Sequence, residues 1–393
     1  MDIKQEVEML REELIALRRD LHRHPELGYE EYRTSAIVTK YLAECGLEVK
    51  SIAKTGVVGL LQGQAGGRTV LLRADMDALA QTEKNDIPYK SVYEGKMHAC
   101  GHDGHTAILL VAAKILAKHR EKWQGIIKFV FQPNEETAGA LDMIKEGVLT
   151  APPVDAAFGL HLWTPLASGK IGLVSGPTMA ATEEFELTVI GRAGHTSAPQ
   201  AAVDPIMVAA SIIQTLQTIQ TRETDVLTPT LIMFGKIQGG TGRNIIADTV
   251  KLGGTIRFLY EDEAKNKEIL KRKFERIIQG ICEAMRAEYE LQYIPSNPAV
   301  MNDPRMVEYV RQAVGETLGS EAAIVPYLCM AGDDFAEFTQ RVPSAYYFVG
   351  TGNKAKGTDY PHHHPCFNID EDTLATGVEL QVRTALTFLS KQE

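Results

Sequence analysis

The sequence predicts an α/β protein of two domains, the smaller inserted into the chain of the larger. Three observations support this prediction. The length of 393 residues exceeds what one hydrophobic core usually serves. Apolar runs typical of buried strands alternate with helix-period patterns in the first and last parts of the chain. Between these parts the order becomes β-α-β-β-α-β, which is typical of a ferredoxin-like α+β domain.

The first part of the chain is predicted to belong to an α/β sandwich with a mostly parallel or mixed sheet. Apolar residues from Ile3 to Leu21 recur every three or four positions, which predicts an amphipathic helix that ends before Pro25. The elements predicted next are a helix over 30–45, strands over 57–61 and 70–72, a helix over 106–119, and strands over 126–131 and 156–162.

The inserted domain is predicted to span residues 180–295, which leaves 1–179 and 296–393 for the larger, discontinuous domain. After the inserted domain, the segment 295–298 (Pro-Ser-Asn-Pro) is the expected return linker. The predicted elements of the insertion are strand 184–190, helix 204–221, strands 229–236 and 249–258, helix 263–287 and strand 289–294; those after it are helix 304–318, strand 345–349 and helix 371–389.

Composition and charge exclude several classes of protein. The net charge of −10, with no basic stripe interleaved with aromatic residues, argues against nucleic-acid binding. No apolar run approaches the roughly 18 residues that a membrane span needs, so we expect no membrane partner. The five cysteines are dispersed, odd in number and never in a CxxC pair, and the N-terminus has no apolar signal core. These features predict a cytoplasmic protein.

The segment 98–105 (His-Ala-Cys-Gly-His-Asp-Gly-His) places three imidazoles, one thiol and one carboxylate within eight residues. Imidazole and thiolate together suit a divalent ion such as Zn, Mn, Co or Ni. In an extended segment Cys100 and His102 would face the same ion. The alternative is a buried cysteine beside structural histidines. That alternative must also account for further ligand-type residues at 132–136, 159–161 and 362–365, so we favour a metal site built by the fold.

Glu135 and Glu136 follow the strand predicted over 126–131, at the edge where open α/β sheets place their sites. Neighbours in an extended chain point in opposite directions. One glutamate can then bind metal while the other accepts a proton from a metal-polarised water. A solvated acidic turn is the alternative.

Further candidates lie at the ends of other predicted strands. His161 ends one of them, although a lone histidine there is often a core residue, and at most one or two histidines of the run 362–364 are expected to bind metal. Asp75 and Asp77 follow the strand over 70–72; they could orient ligand histidines through hydrogen bonds, or cap a following helix. Asp103, inside the cluster, is a third candidate for the orienting role.

Charge counting suggests the type of substrate. If Cys100 and Glu136 bind as anions and the histidines as neutral groups, two divalent ions leave the site net positive. We therefore expect an anionic substrate, such as one with a carboxylate.

Five motifs taken together resemble the M20 metallopeptidase family. The resemblance is strongest to its aminoacylase, carboxypeptidase and amidohydrolase branch, which includes hippurate hydrolases, N-acetyl-amino-acid deacetylases and auxin-conjugate hydrolases. It extends from residues 22–27 (HRHPEL) to the last helix. The motifs are 97–106 (MHACGHDGHT), 132–136 (QPNEE), 159–161 (GLH), 194–199 (GHTSAP) and 363–367 (HHPCF).

The resemblance implies a binuclear metal centre with Glu135 as general base and acid. By motif position, the metal ligands it implies are Cys100, His102, Glu136, His161 and His363. The run of histidines means that the assignment of His363 depends on its spacing to Pro365 and Phe367. Asp333 stands where related sequences often have glutamate, which leaves its role open.

The resemblance also implies functions for the inserted domain, as a lid and as the surface that forms a homodimer or homotetramer. His195 would hold the substrate carbonyl, and Asn244 and Arg257 would contact the substrate. A solvent-exposed histidine and an ordinary strand arginine are the alternatives for His195 and Arg257. Whether His195 acts in its own subunit or in a partner stays open.

We therefore expect a cytoplasmic amidohydrolase with two divalent metal ions that cleaves N-acetyl or N-benzoyl type N-acyl amino acids to a carboxylate and a free amino acid. The metals would polarise the carbonyl and supply hydroxide, Glu135 would pass the water proton to the leaving nitrogen, and His195 would stabilise the oxyanion. A dipeptidase or carboxypeptidase using the same site is the nearest alternative. A binding protein on a decayed enzyme scaffold is another, against which the intact Glu135 and the full ligand set count. The acyl group, the side-chain preference and the native metal stay open.

Overall fold

The computed structural model describes residues 1–391. The chain divides into two compact units. The large unit comprises Met1–Thr178, Val300–Leu328 and the chain from Asp333 on; the small unit comprises Met179–Ala299 and Cys329–Gly332. The predicted fold class, a discontinuous α/β domain with an inserted α+β domain, is confirmed.

Sixteen strands are present in the described part of the chain. In chain order they are β1 (Glu48–Ile52), β2 (Gly56–Gln62), β3 (Gln64–Asp75), β4 (Gln124–Gln132), β5 (Ala156–Ala167), β6 (Ile171–Gly172), β7 (Gly176–Met179), β8 (Ala181–Ile190), β9 (Gly194–His195), β10 (Thr230–Gly239), β11 (Ile245–Ile246), β12 (Thr249–Phe258), β13 (Glu288–Pro295), β14 (Val300–Asn302), β15 (Ile324–Val325) and β16 (Ser344–Gly352).

Ten α-helices accompany these strands within residues 1–391. They are α1 (Ile3–Met9), α2 (Arg11–Arg23), α3 (Tyr32–Glu44), α4 (His102–Lys118), α5 (Ala140–Lys145), α6 (Pro205–Thr218), α7 (Glu263–Met285), α8 (Pro304–Leu318), α9 (Ala336–Thr339) and α10 (Asp372–Ser390). No helix among the described residues is long and apolar enough to cross a membrane.

The large unit is built on an eight-stranded mixed sheet in the order β1-β2-β4-β3-β5-β16-β6-β15. Its four central strands run parallel, with Asp75 of β3 opposite Gln132 of β4 and His161 of β5 opposite Phe348 of β16. The carboxyl ends of parallel strands meet at one edge, so these registers bring the residues that follow β3 and β4 together.

Helix α4 is buried along almost its whole length, from His102 to Leu116. A helix that is apolar on all sides needs cover on all sides, and α2, α10 and β3 pack against it. At Gly104 a Cβ atom would lie 2.4 Å from Leu162 Cδ1. Glycine therefore allows the first turn of α4 to approach β5, and this approach places His102 beside the sheet edge.

The small unit contains a four-stranded antiparallel sheet in the order β10-β12-β8-β13. Helices α6 and α7 pack against this sheet. This is the strand order of a ferredoxin-like domain, as predicted. A separate pair, β9 and β11, joins Gly194–His195 to Ile245–Ile246.

Several elements of the large unit differ from the sequence-based prediction, among them the first helix and strand β1. The first helix is interrupted at Leu10, whose backbone N–H bonds to Val7 O three residues back, so α1 ends and α2 begins there. Strand β1 was not predicted, because it is an edge strand that is mostly exposed and lacks an apolar run.

Candidate metal centre

Five side chains with ligand atoms converge at the carboxyl edge of the large sheet. The ligand atoms of Cys100, His102 and His161 lie within 4.8 Å of one another, and so do those of Cys100, Glu136 and His363. Cys100 belongs to both groups, so its thiolate could serve as a ligand with either set of partners. The side chains come from the start of α4, the turn after β4, strand β5 and the loop before α10.

The turn at Gly101 explains how Cys100 and His102 approach each other. Gly101 is left-handed, with φ of 93°, and α4 begins at His102. The expectation of an extended segment, in which alternation places the two side chains on one side, is therefore wrong. A non-glycine residue would be strained at this φ, so glycine permits the turn.

Glu135 and Glu136 lie in a 3₁₀ turn, Glu135–Thr137, which also replaces the expected extended segment. The residues on either side, Asn134 and Ala138, are left-handed. The turn directs the two carboxylates to different partners. Glu136 Oε1 lies 3.3 Å from His363 Nε2, whereas Glu135 Oε2 lies 4.0 Å from His102 Nε2.

Hydrogen bonds leave one nitrogen of each of two histidines available to a metal. His102 Nδ1 lies 2.9 Å from Asp77 O, and His161 Nδ1 lies 2.9 Å from Leu162 O, so both rings donate through Nδ1. His161 Nε2 lies 3.6 Å from Cys100 Sγ. His102 Nε2 is buried and makes no hydrogen bond to any described residue. A buried nitrogen without a partner is unfavourable unless an ion binds it, so this donor set fits a divalent metal.

Two other histidines near the centre form hydrogen bonds with the protein, His105 through both ring nitrogens and His362 through Nε2. His105 Nδ1 lies 2.6 Å from Asp75 Oδ1, and its Nε2 accepts from the backbone N–H of Leu162 at 2.9 Å. His362 Nε2 donates to Leu162 O at 2.9 Å, and its ring stacks on Trp163. Of the histidine run, His363 is the residue that faces Glu136, and its φ of 62° turns it there.

The three aspartates expected to orient ligands have different partners. Asp77 holds His102 through its backbone oxygen and accepts from the backbone N–H of Glu136 at 3.1 Å, so it links two candidate ligands. Asp75 pairs with His105 and with Arg73, and its Oδ2 lies 3.7 Å from His102 Nε2.

Asp103 differs from the expectation. Its Oδ2 accepts from Arg18 Nε and His22 Nδ1, each at 2.8 Å, and among the described residues no hydrogen bond or ion pair joins its side chain to a candidate ligand. The reason is helical geometry. Asp103 follows His102 by one residue, which is about 100° around the helix, so the two side chains face different neighbours.

An acidic cluster beside Glu135 was not predicted from the sequence. Asp334 N donates to Glu135 Oε1 at 3.4 Å, and Arg73 Nη2 pairs with Asp333 and Asp334 at 3.3 and 2.9 Å. Asp333 also accepts from the hydroxyl of Tyr346. The only sequence signals were the adjacent aspartates and an arginine inside an apolar strand.

Burial and like charges set the protonation of the metal-free centre. Burial raises the pKa of Glu135 well above its usual range, and Asp333, Asp334 and Glu136 raise it further. Burial likewise raises the pKa of the Cys100 thiol and lowers the pKa of His161. A bound divalent cation would favour the thiolate form of Cys100 instead of the protonated thiol. It would bind His161 as the neutral imidazole, the form that burial already favours.

The candidate substrate residues of the small unit fall into two places. His195 of β9 pairs with Ile245 of β11, directly after Asn244, and Asn244 O accepts from Thr196 N at 3.3 Å. Ser197 N donates to His195 Nδ1 at 3.1 Å, which leaves the ring proton of neutral His195 on Nε2. Arg257 on β12 donates to Met330 O at 3.1 Å and to Thr182 Oγ1 at 3.3 Å.

Comparisons with known proteins show the family to which the chain belongs. The model of "Peptidase family M20/M25/M40" matches residues 71–387. The chain is 37% identical to thermostable carboxypeptidase 2 of Saccharolobus solfataricus, over 99% of this chain and 98% of that protein. It is also 37% identical to N-acetyl-L-cysteine deacetylase of Bacillus subtilis, over 98% and 90%. The crystal structure of Bacillus subtilis YXEP protein, a dinuclear metal binding peptidase from the M20 family, superposes with a TM-score of 0.86 at 32% identity, covering 98% of this chain and all of that one.

Proposed function

This chain belongs to peptidase family M20/M25/M40 and is a metal-dependent hydrolase of that family, and on this premise we propose that it hydrolyses the amide bond of N-acyl amino acids. The observation that carries the proposal is the convergence of five ligand side chains beside a further buried carboxylate, Glu135, to which we assign proton transfer. The similarity to a deacetylase of N-acetyl-L-cysteine supports an N-acyl amino acid as the substrate class.

The proposed ligands of two divalent ions are Cys100, His102, Glu136, His161 and His363. When bound, the ions supply Lewis-acid polarisation of the amide carbonyl and lower the pKa of water. Glu135 takes the proton of the attacking water and delivers it to the amide nitrogen as the C–N bond breaks, so a carboxylate and a free amine leave. The position of Glu135 among buried carboxylates suits it to holding a proton between these steps.

His195 is the proposed donor to the oxyanion. Since Ser197 N occupies Nδ1, the Nε2–H is the ring's donor, and a neutral N–H donor stabilises negative charge on the carbonyl oxygen. We place Asn244 and Arg257 in substrate binding, with the large unit as the catalytic domain and the small unit as a lid. Two divalent ions carry more positive charge than the two anionic ligands, Cys100 and Glu136, can neutralise. The net positive centre favours a substrate that has a carboxylate.

A carboxypeptidase or dipeptidase activity is the second candidate, because a thermostable carboxypeptidase is as similar to this chain as the deacetylase. The protein should be stripped with a chelator, reconstituted with Mn, Co, Ni or Zn, and assayed with N-acetyl and N-benzoyl amino acids, dipeptides and longer peptides. Metal-dependent cleavage of the N-acyl amino acids with the highest kcat/KM is the expected result. Faster cleavage of peptides would replace the proposal with the second candidate.

We also propose a homodimer or homotetramer formed through the small unit, in the cytoplasm. The outer strand β10 exposes the apolar side chains of Met233 and Ile237 at 52% and 64% of their surface. The odd number of cysteines and their dispersal along the sequence support a reducing compartment. Light scattering of the purified protein tests the assembly, and a monomer would contradict it.

A further inference from the structure

Asp334 lies outside the proposed ligand set, yet it is fully buried beside the proposed base. Its carboxylate accepts from Arg73 Nη2 at 2.9 Å, from Gln132 Nε2 at 2.7 and 2.8 Å, and from Ala140 N at 2.8 Å. Arg73 belongs to β3, Gln132 is the last residue of β4 and Ala140 is the first residue of α5. One carboxylate therefore joins two parallel strands to the helix that follows the turn carrying Glu135.

That turn needs external support. Asn134 and Ala138, with φ of 55° and 74°, are non-glycine residues in the left-handed region, which persists only where the surroundings hold it. Glu31 accepts from Asn134 N at 2.9 Å at the entry to the turn, and Asp77 accepts from Glu136 N in its middle. Asp334 holds the exit through Ala140 N.

Asp334 also touches the base directly. Its backbone N–H donates to Glu135 Oε1 at 3.4 Å, while Glu135 Oε2 is the oxygen nearer to His102. The two contacts use different oxygens of Glu135. The hydrogen bond from Asp334 N to Oε1 therefore restrains the direction in which Oε2 points. The Asp334 side chain, anchored by Arg73 and Gln132, determines where its own backbone N–H lies.

From these contacts we infer that Asp334 is a positioning residue that acts through Glu135: it fixes the turn at its exit and aims the Glu135 carboxylate. This inference rests on the proposed function, since it assumes that Glu135 transfers the proton. A catalytic group misplaced by about 1 Å can cost on the order of a hundredfold in rate.

The test is a double-mutant cycle on the metal-loaded protein, with the N-acyl amino acid cleaved fastest in the substrate screen. Asp334→Asn keeps the shape of the side chain but removes its charge. We expect kcat to fall between about tenfold and a hundredfold, with KM changed less than about twofold and about two ions per chain retained. In the Glu135→Gln background, Asp334→Asn should change kcat less than about twofold, because a residue that acts through another has nothing left to act on.

The matched control is Glu83→Gln. Glu83 is a buried, hydrogen-bonded carboxylate of the large unit that accepts from His22, Asn85 and Ser91, none of which is a proposed ligand or the proposed base. It should leave kcat unchanged even where it lowers thermal stability. If Asp334→Asn does not fold, Gln132→Leu, which removes a donor to both Asp334 oxygens, takes its place in the same cycle.

The outcomes separate the two ideas. If Glu135→Gln alone retains full activity, the proposed role of Glu135 fails and this inference fails with it. If Glu135→Gln is inactive but Asp334→Asn leaves kcat unchanged, loses metal, or adds its full loss in the Glu135→Gln background, the inference alone is overturned.

Discussion

His363 Nε2 lies 3.3 Å from Glu136 Oε1, while the ring of the preceding residue, His362, turns away and donates to the backbone of β5. Adjacent histidines thus have different environments, one facing a candidate ligand and the other packed on Trp163. This contrast gives a matched pair of variants.

His363→Gln should lose at least one of about two bound ions per chain, as expected when a ligand of a two-metal site is removed. His362→Gln should keep both ions, because its nitrogen is already engaged by Leu162 O. Metal content by plasma emission spectrometry after dialysis distinguishes the two. Loss of metal in His362→Gln, with full content in His363→Gln, would reverse the assignment.

Cys100→Ala should weaken the binding of at least one ion, and of both if the thiolate lies between them, because Cys100 belongs to both ligand groups. Competition with a chromophoric chelator measures the affinities. Cys366 is close in sequence to His363, and Cys366→Ala is the control that should bind normally. Unchanged affinities in Cys100→Ala would show that the thiol is not a ligand.

Glu135→Gln should keep the fold and the metal content and lose at least about a hundredfold in kcat, the lower range for general acid–base catalysis. The amide is isosteric with the carboxylate but cannot accept the water proton. Steady-state kinetics on metal-loaded protein checks this. Near-normal turnover in a fully loaded variant would remove Glu135 from the mechanism.

His195→Ala should reduce kcat strongly while the metal content stays unchanged, because the residue belongs to the small unit and is not a proposed ligand. If His195 acts in a partner subunit, mixing inactive His195→Ala and inactive Glu135→Gln chains should restore part of the activity through mixed dimers. No recovery after verified subunit exchange would show that His195 acts within its own chain.

His98 is predicted to make the metal-free protein sensitive to acid. It is 1% exposed, neither ring nitrogen has a hydrogen-bond partner among the described residues, and burial lowers its pKa to about 4. The unfolded chain takes up the proton near pH 6.5. His98 therefore leaves the free energy of unfolding at its full value above that pH. As the pH falls from 6.5 towards 4, the unfolded chain binds the proton more readily than the folded protein, and the free energy of unfolding decreases.

The measurement is a comparison of unfolding free energies of His98→Gln and the unmodified protein by urea titration in chelator. Relative to the variant, the unmodified protein should lose up to about 3 kcal/mol between pH 6.5 and 4, at about 1.4 kcal/mol per pH unit. A difference that does not vary with pH would contradict the lowered pKa.

The sequence predicted long buried elements well and local backbone geometry poorly. Helix α8 spans Pro304–Leu318 as predicted, since Asp303 caps it and Pro304 suits the first helical position. The two-residue strands β6 and β15 carry too few residues to show a period. The candidate metal ligands were recognisable because thiol and imidazole groups cluster in the sequence. The turn at Gly101, which brings Cys100 and His102 together, was not predicted.

What the sequence could not show is which polar groups are already satisfied. His102 and His105 are the same residue type in the sequence. Only the structure shows that both ring nitrogens of His105 are hydrogen-bonded, one to the carboxylate of Asp75 and the other to the backbone N–H of Leu162. The partners of Asp103 and Asp334 come from segments more than 80 residues away, so no local pattern contains them.

The position of β16 between β5 and β6 has a consequence for biosynthesis. A growing chain emerges with its N-terminus first, and every strand of the small unit is made before β16. Until residues 344–352 leave the ribosome, β5 remains an open edge and β6 lacks one of its two neighbours. His363 follows later still. Metal loading at the complete centre therefore belongs to the last stage of synthesis, and a ribosome stalled before β16 would present an unfinished sheet to chaperones.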